Sequence, residues 1–195
     1  PEGGRRALIN EEGLIETDEG AFSIEPFIVT DGGLLTWADV STRIALPEDG
    51  EPMPSVEWRA EGLTLEILPW LRGSGRDLEL AVKYRLQCDR PHAGARLVLA
   101  LRPFQVTPPW QAFRNMGGRA NLQKIECGTS GVVADSKQVS FSPPASRIGA
   151  ATFDEGGVLA DFAKNQMPQN ARVDDESGLA SGAIEWVLAS GETTL

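Results

Sequence analysis

The hydrophobic pattern of this chain has a period of two. Across residues 77–87, Leu78, Leu80, Val82, Tyr84 and Leu86 alternate with Asp77, Glu79, Ala81, Lys83, Arg85 and Gln87. Such alternation predicts a strand with one face in a core and the other in water. Leu63, Leu65 and Ile67 repeat it against Thr64 and Glu66, and Pro69 is expected to end or kink that strand near Trp70. Residues 96–104 differ, because Val98 and Ala100 are apolar as well as Leu97, Leu99 and Leu101. That predicts a central strand covered on both faces. Shorter strands are expected over residues 13–18, 21–30, 34–39, 41–46, 55–59, 122–127, 131–134, 138–142, 147–153 and 182–189, the last with Ile184, Trp186 and Leu188 on one side.

Turn chemistry separates these runs. Glu19-Gly20, Asp31-Gly32-Gly33, Asp49-Gly50 and Gly73-Ser74-Gly75 read as short hairpin connections. Many strands with close turns predict an all-β fold, an antiparallel barrel or a sandwich of two packed sheets, with one or two short helices. One helix is expected over residues 156–167, where Val158, Leu159, Phe162, Ala163 and Gln166 fall near one stripe and Pro168 stops it. A second helical turn is expected over 110–116, after Pro108-Pro109 and before Gly117. Residues 169–177 are polar and read as a loop. No internal repeat or composition break divides the chain, so residues 1–195 are read as a single β-sandwich domain. The opening Pro-Glu-Gly-Gly lacks a Met, and the chain is read as a segment excised from a longer polypeptide.

Composition narrows the function classes. Hydrophobic residues are 41% of the 195, enough for a core without covalent staples. The 28 acidic residues outnumber 18 Lys and Arg, for a net charge of −10. That argues against nucleic acid, which needs a basic stripe, and against anionic membranes. It is compatible with a neutral ligand such as a sugar. No apolar run reaches the roughly 18 residues of a membrane span. Cys88 and Cys127 are read as two thiols in the core, with a pairing left open.

Little catalytic machinery stands out. His92, the only histidine, falls in a turn between two long strands, where a solvated side chain is the plainer reading than a general base. One histidine and two cysteines without ligand spacing give no metal site, and no cofactor motif is present. Asp31, Asp39, Glu57, Asp154, Glu155, Asp161, Asp174 and Asp175 lie near turns or strand ends. A glycosidase needs two carboxylates about 5–10 Å apart, and sequence gives no way to choose such a pair. Charges on wet strand faces are the plainer reading. Asp174-Asp175-Glu176 lacks the ligand spacing of a calcium loop.

The least generic stretch runs from Arg102 through Pro103, Phe104, Gln105 and Pro108-Pro109 to Trp110 and Gln111, followed by Asn115, Gly117, Gly118, Arg119 and Asn121. Arg, amide and Trp side chains suit sugar hydroxyls and C–H faces. They equally suit a docking surface between domains. The structural alternative is that Phe104 and Trp110 plug the end of the sandwich while Arg102 caps carbonyls. The ligand-binding or docking candidates are Arg102, Phe104, Gln105, Trp110 and Asn115, with Trp37 as an outlier. Trp58 and Trp186 fall in phase with strands and are assigned to the core. Trp37 and Trp70 lie at strand ends, in the core or at the rim of a groove.

On Arg102-Pro103-Phe104-Gln105-Val106, Pro108-Pro109-Trp110-Gln111 and Gly117-Gly118, the chain resembles large bacterial proteins labelled coagulation factor 5/8 type or discoidin-domain proteins. Gly13-Leu14-Ile15-Glu16-Thr17, residues 32–39 and residues 178–183 extend the resemblance over most of the chain. In such proteins this region looks like the β-supersandwich preceding an (α/α) six-hairpin barrel, similar to glucoamylase-like glycosidases and sugar phosphorylases. Gln105 stands where those enzymes carry Asn. The resemblance implies a galactose mutarotase-like sandwich that is non-catalytic alone, needs no cofactor, and docks on a C-terminal helical domain of the same chain. An oligosaccharide is the second partner it implies. An autonomous carbohydrate-binding module is the competing reading. A mutarotase-like enzyme is a third, disfavoured because such enzymes use more than one histidine.

Overall fold

The computed structural model describes residues 7–18, 20–46, 53–60, 62–74, 78–88, 95–106, 118–188 and 192–195. Its strands are β1 (Leu8–Ile9), β2 (Ile15–Glu16), β3 (Ser23–Thr30), β4 (Gly33–Leu35), β5 (Ser41–Ala45), β6 (Ser55–Ala60), β7 (Leu63–Arg72) and β8 (Glu79–Cys88). They continue as β9 (Arg96–Arg102), β10 (Lys124–Cys127), β11 (Gly131–Ala134), β12 (Lys137–Ser140), β13 (Arg147–Ala151), β14 (Arg172–Asp174), β15 (Ser181–Val187) and β16 (Glu192–Thr194). One α-helix, α1 (Gly157–Phe162), and one 3-10 turn, Trp37–Asp39, complete the described elements. The expected turns at Asp49-Gly50 and around His92, and the helical turn at 110–116, lie outside the described residues.

All the strand pairings within the sheets are antiparallel, as an all-β sandwich requires. A seven-stranded sheet runs β1-β2-β3-β9-β15-β13, with β4 also on β3. A five-stranded sheet runs β16-β8-β7-β6-β5. Beyond the two expected layers, a four-stranded sheet runs β12-β11-β10-β14. One apolar cluster joins all three: Leu97, Leu99, Leu101, Ile184 and Trp186 meet Val56, Trp58, Leu65, Ile67 and Leu86, with Ile125, Val132 and Val173 from the third sheet. Trp58 and Trp186 are core residues, and each indole N–H finds a carbonyl, Glu12 O at 2.8 Å and Pro143 O at 3.0 Å. Phe141 meets the Trp186 ring edge to face at 5.5 Å.

The two-faced pattern of β9 has its cause in a second core. Val98 and Ala100 point away from the sandwich into a cluster with Phe27, Val29, Ala151 and Ala183, capped by Val158 and Phe162 of α1 and by Met167. The Phe27 and Phe162 rings meet edge to face at 5.4 Å. This helix stops earlier than its apolar stripe implied. Lys164 and Asn165 donate back three residues, to Asp161 O and Phe162 O, and Asn165 takes a left-handed φ of 57°. Ala163 and Gln166 are therefore exposed, while Met167 reaches the core from the following segment. Gly149 on β13 lies so close to Pro168 that a Cβ there would run into the Pro168 carbonyl.

Two prolines sit where a ladder bond is not needed. Pro26 falls inside β3, but β2 pairs only with Ser23 and Ile24 and β4 only with Ile28–Thr30, so its flank away from β9 is an unpaired gap. Pro69 does not end its strand. β7 continues to Arg72, because β6 pairs no further than Ile67 and the proline meets an open edge there. Residues 34–39 are not one strand. Thr36 closes β4 with a capping box, accepting from the Ala38 N–H at 3.2 Å while its own N–H donates to Asp39 Oδ2 at 2.9 Å. Within the expected loop 169–177, Arg172–Asp174 forms β14 against β10. Cys88 and Cys127 are free, partly buried thiols, and burial pushes the Cys127 thiol up.

Tyr84 is buried in the sandwich core with no partner for its hydroxyl among the described residues, and burial pushes that phenol above its ordinary range. An unsatisfied buried hydroxyl costs free energy that a phenyl ring does not. Tyr84→Phe is therefore expected to leave stability unchanged or raise it by about 1 kcal/mol, read from the urea midpoint. A clear loss would show that the hydroxyl is bonded in solution.

Candidate functional site

Arg102 ends β9 on the face away from the sandwich. Pro103 then turns the chain, and residues 103–105 pair back against Gly118–Ala120: Gln105 N–H donates to Gly118 O at 2.8 Å and Ala120 N–H to Pro103 O at 2.9 Å. An isolated bridge sets Phe104 opposite Arg119. This closes the base of the segment that carries Trp110 and Asn115, both of which lie outside the described residues.

The Arg102 guanidinium is held from two sides. Its Nη1 donates to Glu25 Oε2 at 2.7 Å, and its Cζ stands 4.7 Å from the centre of the Phe104 ring. Ser23 Oγ donates to the other Glu25 oxygen at 2.8 Å. Beside them Glu16, equally buried, accepts from Gly20 N–H at 2.7 Å with one oxygen and from Val106 N–H at 3.0 Å with the other. All four carboxylate oxygens are thus taken up in holding Arg102, the β2–β3 turn and the start of the 106 segment. Their chemistry here is positioning. Phe104 remains 40% exposed, and Arg119 is exposed.

Arg102, Phe104 and Gln105 are therefore brought to one rim. Trp37 is not with them: it follows β4, which lies on the opposite side of β3 from β9, and the residue is 45% exposed. Trp70 is also exposed, on β7. Glu16 and Glu25 were not among the sequence candidates, nor was Arg119. Each glutamate interrupts an apolar strand segment, and a buried charge of that kind demands a partner. That was the available signal, though not for which arginine.

Four of the sequence-listed acids, Asp175, Glu155, Asp39 and Asp174, serve local structure. Asp175 loses by burial, but hydrogen bonds from the Ser177 hydroxyl and the Phe153, Ser177 and Leu179 amides outweigh that and hold its carboxyl below the usual range. Glu155 is held low by the Thr152 amide, Asn170 and the Thr152 hydroxyl, and Asp39 by Thr36. Asp174 pairs with Lys124 at 3.4 Å. Among the described residues no cluster of three or more His, Cys, Asp or Glu could hold a metal ion, and no helix is long and apolar enough to cross a membrane. The sequence matches no family model, and no curated protein or solved structure is significantly similar to it.

Proposed function

We propose that this chain is a non-catalytic β-sandwich module of a carbohydrate-processing multidomain protein, and that its Arg102–Phe104–Gln105 rim docks on a helical catalytic domain. The supporting observation is the clamped pair: an exposed Phe104 ring against an Arg102 already fixed by buried Glu25. Aromatic and Arg side chains dominate the energetics of protein interfaces, and a pre-ordered pair loses little entropy on association. The resemblance of residues 102–118 to sandwiches that precede six-hairpin barrels supplies the partner class.

The test is to produce the chain with and without the downstream helical region that the resemblance implies. Co-elution and added protease resistance are expected, with Phe104→Ala weakening association by about 2 kcal/mol. Equal protease resistance with no association would end the docking proposal. The exposure of Trp37 and Trp70 favours a second reading, an autonomous carbohydrate-binding module. A change in indole fluorescence on titrating glycans would support it, and a flat response across a broad panel would remove it.

A further inference from the structure

The wet face of the five-stranded sheet carries a row of charges in register. Arg43 stands opposite Glu57, Glu57 opposite Glu66, and Glu66 opposite Arg85, across four strands. Two like charges directly opposed on a sheet are unfavourable. Each glutamate is partly offset from the flank: Arg59 Nε donates to Glu57 Oε1 at 2.6 Å, and Arg85 Nη1 to Glu66 Oε2 at 2.8 Å. The second oxygen of each carboxylate accepts nothing among the described residues, and the exposed Arg43 guanidinium likewise donates to none of them. These unspent groups surround a depression of about 200 Å³, lined by Arg43, Ser55, Glu57, Glu66 and Leu68 among others. Leu68 and Trp70 share a face of β7, about 7 Å apart along the strand, and the Trp70 ring is 39% exposed.

We infer that this depression is a subsite for a neutral sugar, with the next sugar unit stacked on Trp70. The space is below the roughly 300–1,000 Å³ of a drug-sized pocket and suits one ring. Carboxylate oxygens and a guanidinium with free N–H groups offer acceptors and donors to adjacent hydroxyls, and such charge-assisted bonds are the stronger kind. The depression carries both signs, Glu57 and Glu66 beside Arg43, Arg59 and Arg85, so it presents acceptors and donors together, as a polyhydroxyl ligand requires. An indole beside the pocket provides an apolar plane for the C–H face of a pyranose. The inference rests on the carbohydrate side of the proposed function but not on docking, since the Phe104 rim belongs to the other sheet.

The test is calorimetric titration of the full 195-residue chain, with tryptophan fluorescence followed in parallel. The probes are maltotetraose, cellotetraose, xylotetraose and β-galactotetraose, with tetragalacturonate as the acidic counterpart. Saturable binding of at least one neutral probe is expected, with Kd on the order of 1 mM. Arg43→Ala and Trp70→Ala, both at exposed positions and checked by far-ultraviolet dichroism, should each weaken it about tenfold or more. Phe104→Ala should bind as the parent does. No saturation by any neutral probe, tighter binding of tetragalacturonate, or unchanged binding in the Arg43 and Trp70 variants would each overturn the site. Binding lost only in Phe104→Ala would overturn it too, and would place the sugar at the rim instead. None of these outcomes bears on whether the rim associates with a helical domain.

Discussion

Trp58→Ala is expected to lower the unfolding free energy by about 3–5 kcal/mol, the range for truncating a large buried aromatic. Trp58 is 1% exposed and lies in the core between the sheets. Its loss leaves a cavity lined by strands that cannot close on it, because β6 is pinned in register by β5 and β7 on either side. The same change strips Glu12 O of its indole donor. Trp58→Phe separates the two effects: it keeps most of the volume and forfeits the hydrogen bond, worth about 1 kcal/mol. Urea unfolding of the three proteins reads both numbers. With domain stabilities of about 5–15 kcal/mol, the alanine variant needs measuring in the cold. A loss below about 1 kcal/mol would show that the two sheets do not close on this residue.

The second large effect concerns Glu185, which is fully buried on β15. Arg147 grips it with Nε at 2.6 Å and Nη2 at 2.8 Å, and Arg96 Nη1 donates at 3.0 Å. The Arg96 guanidinium also reaches Asn165, so the trio ties three strands to the turn that ends α1. Arg147 is half exposed and its pairing is discounted by solvent. Arg96 is largely covered and has no second carboxylate partner among the described residues. Glu185→Ala therefore strands a largely covered cation, at a cost of up to about 3–5 kcal/mol. Removing both covered charges, as Glu185→Leu with Arg96→Leu, should cost less than the single change, since the one ion left unpaired, Arg147, is half exposed to water. A double variant no more stable than the single one would show that the ion pair is not what stabilises this corner.

The layered architecture was legible in the sequence wherever strands were long enough to alternate. β8 shows it through Tyr84 and Leu86, and β9 shows it doubly, since its even and odd positions enter different cores. Short elements were not legible. The three residues of β14 carry too few positions to show a period, and only their pairing with β10 makes them a strand. At Trp37 the apolar pattern points to a strand end, but the Thr36-x-x-Asp39 capping box turns the chain into a 3-10 turn there. The site was partly legible. Arg102, Phe104 and Gln105 fall within four consecutive residues, so the chain itself puts them side by side. Glu16 and Glu25 reach the same place from distant strands, and no local pattern reports such a meeting. The Arg43–Glu57–Glu66 row depends on the relative register of β5, β6 and β7, which alternation within one strand cannot supply.

β9 has a hydrogen-bonded neighbour on each edge and an apolar layer on each face. Detaching α1 bares only its even-numbered side chains, and parting the sandwich bares only the odd-numbered ones. Neither event alone frees the strand. β9 thus acts as a shared wall that makes the helical cover and the sandwich a single cooperative unit, and a disturbance on one side is felt on the other through the same seven residues.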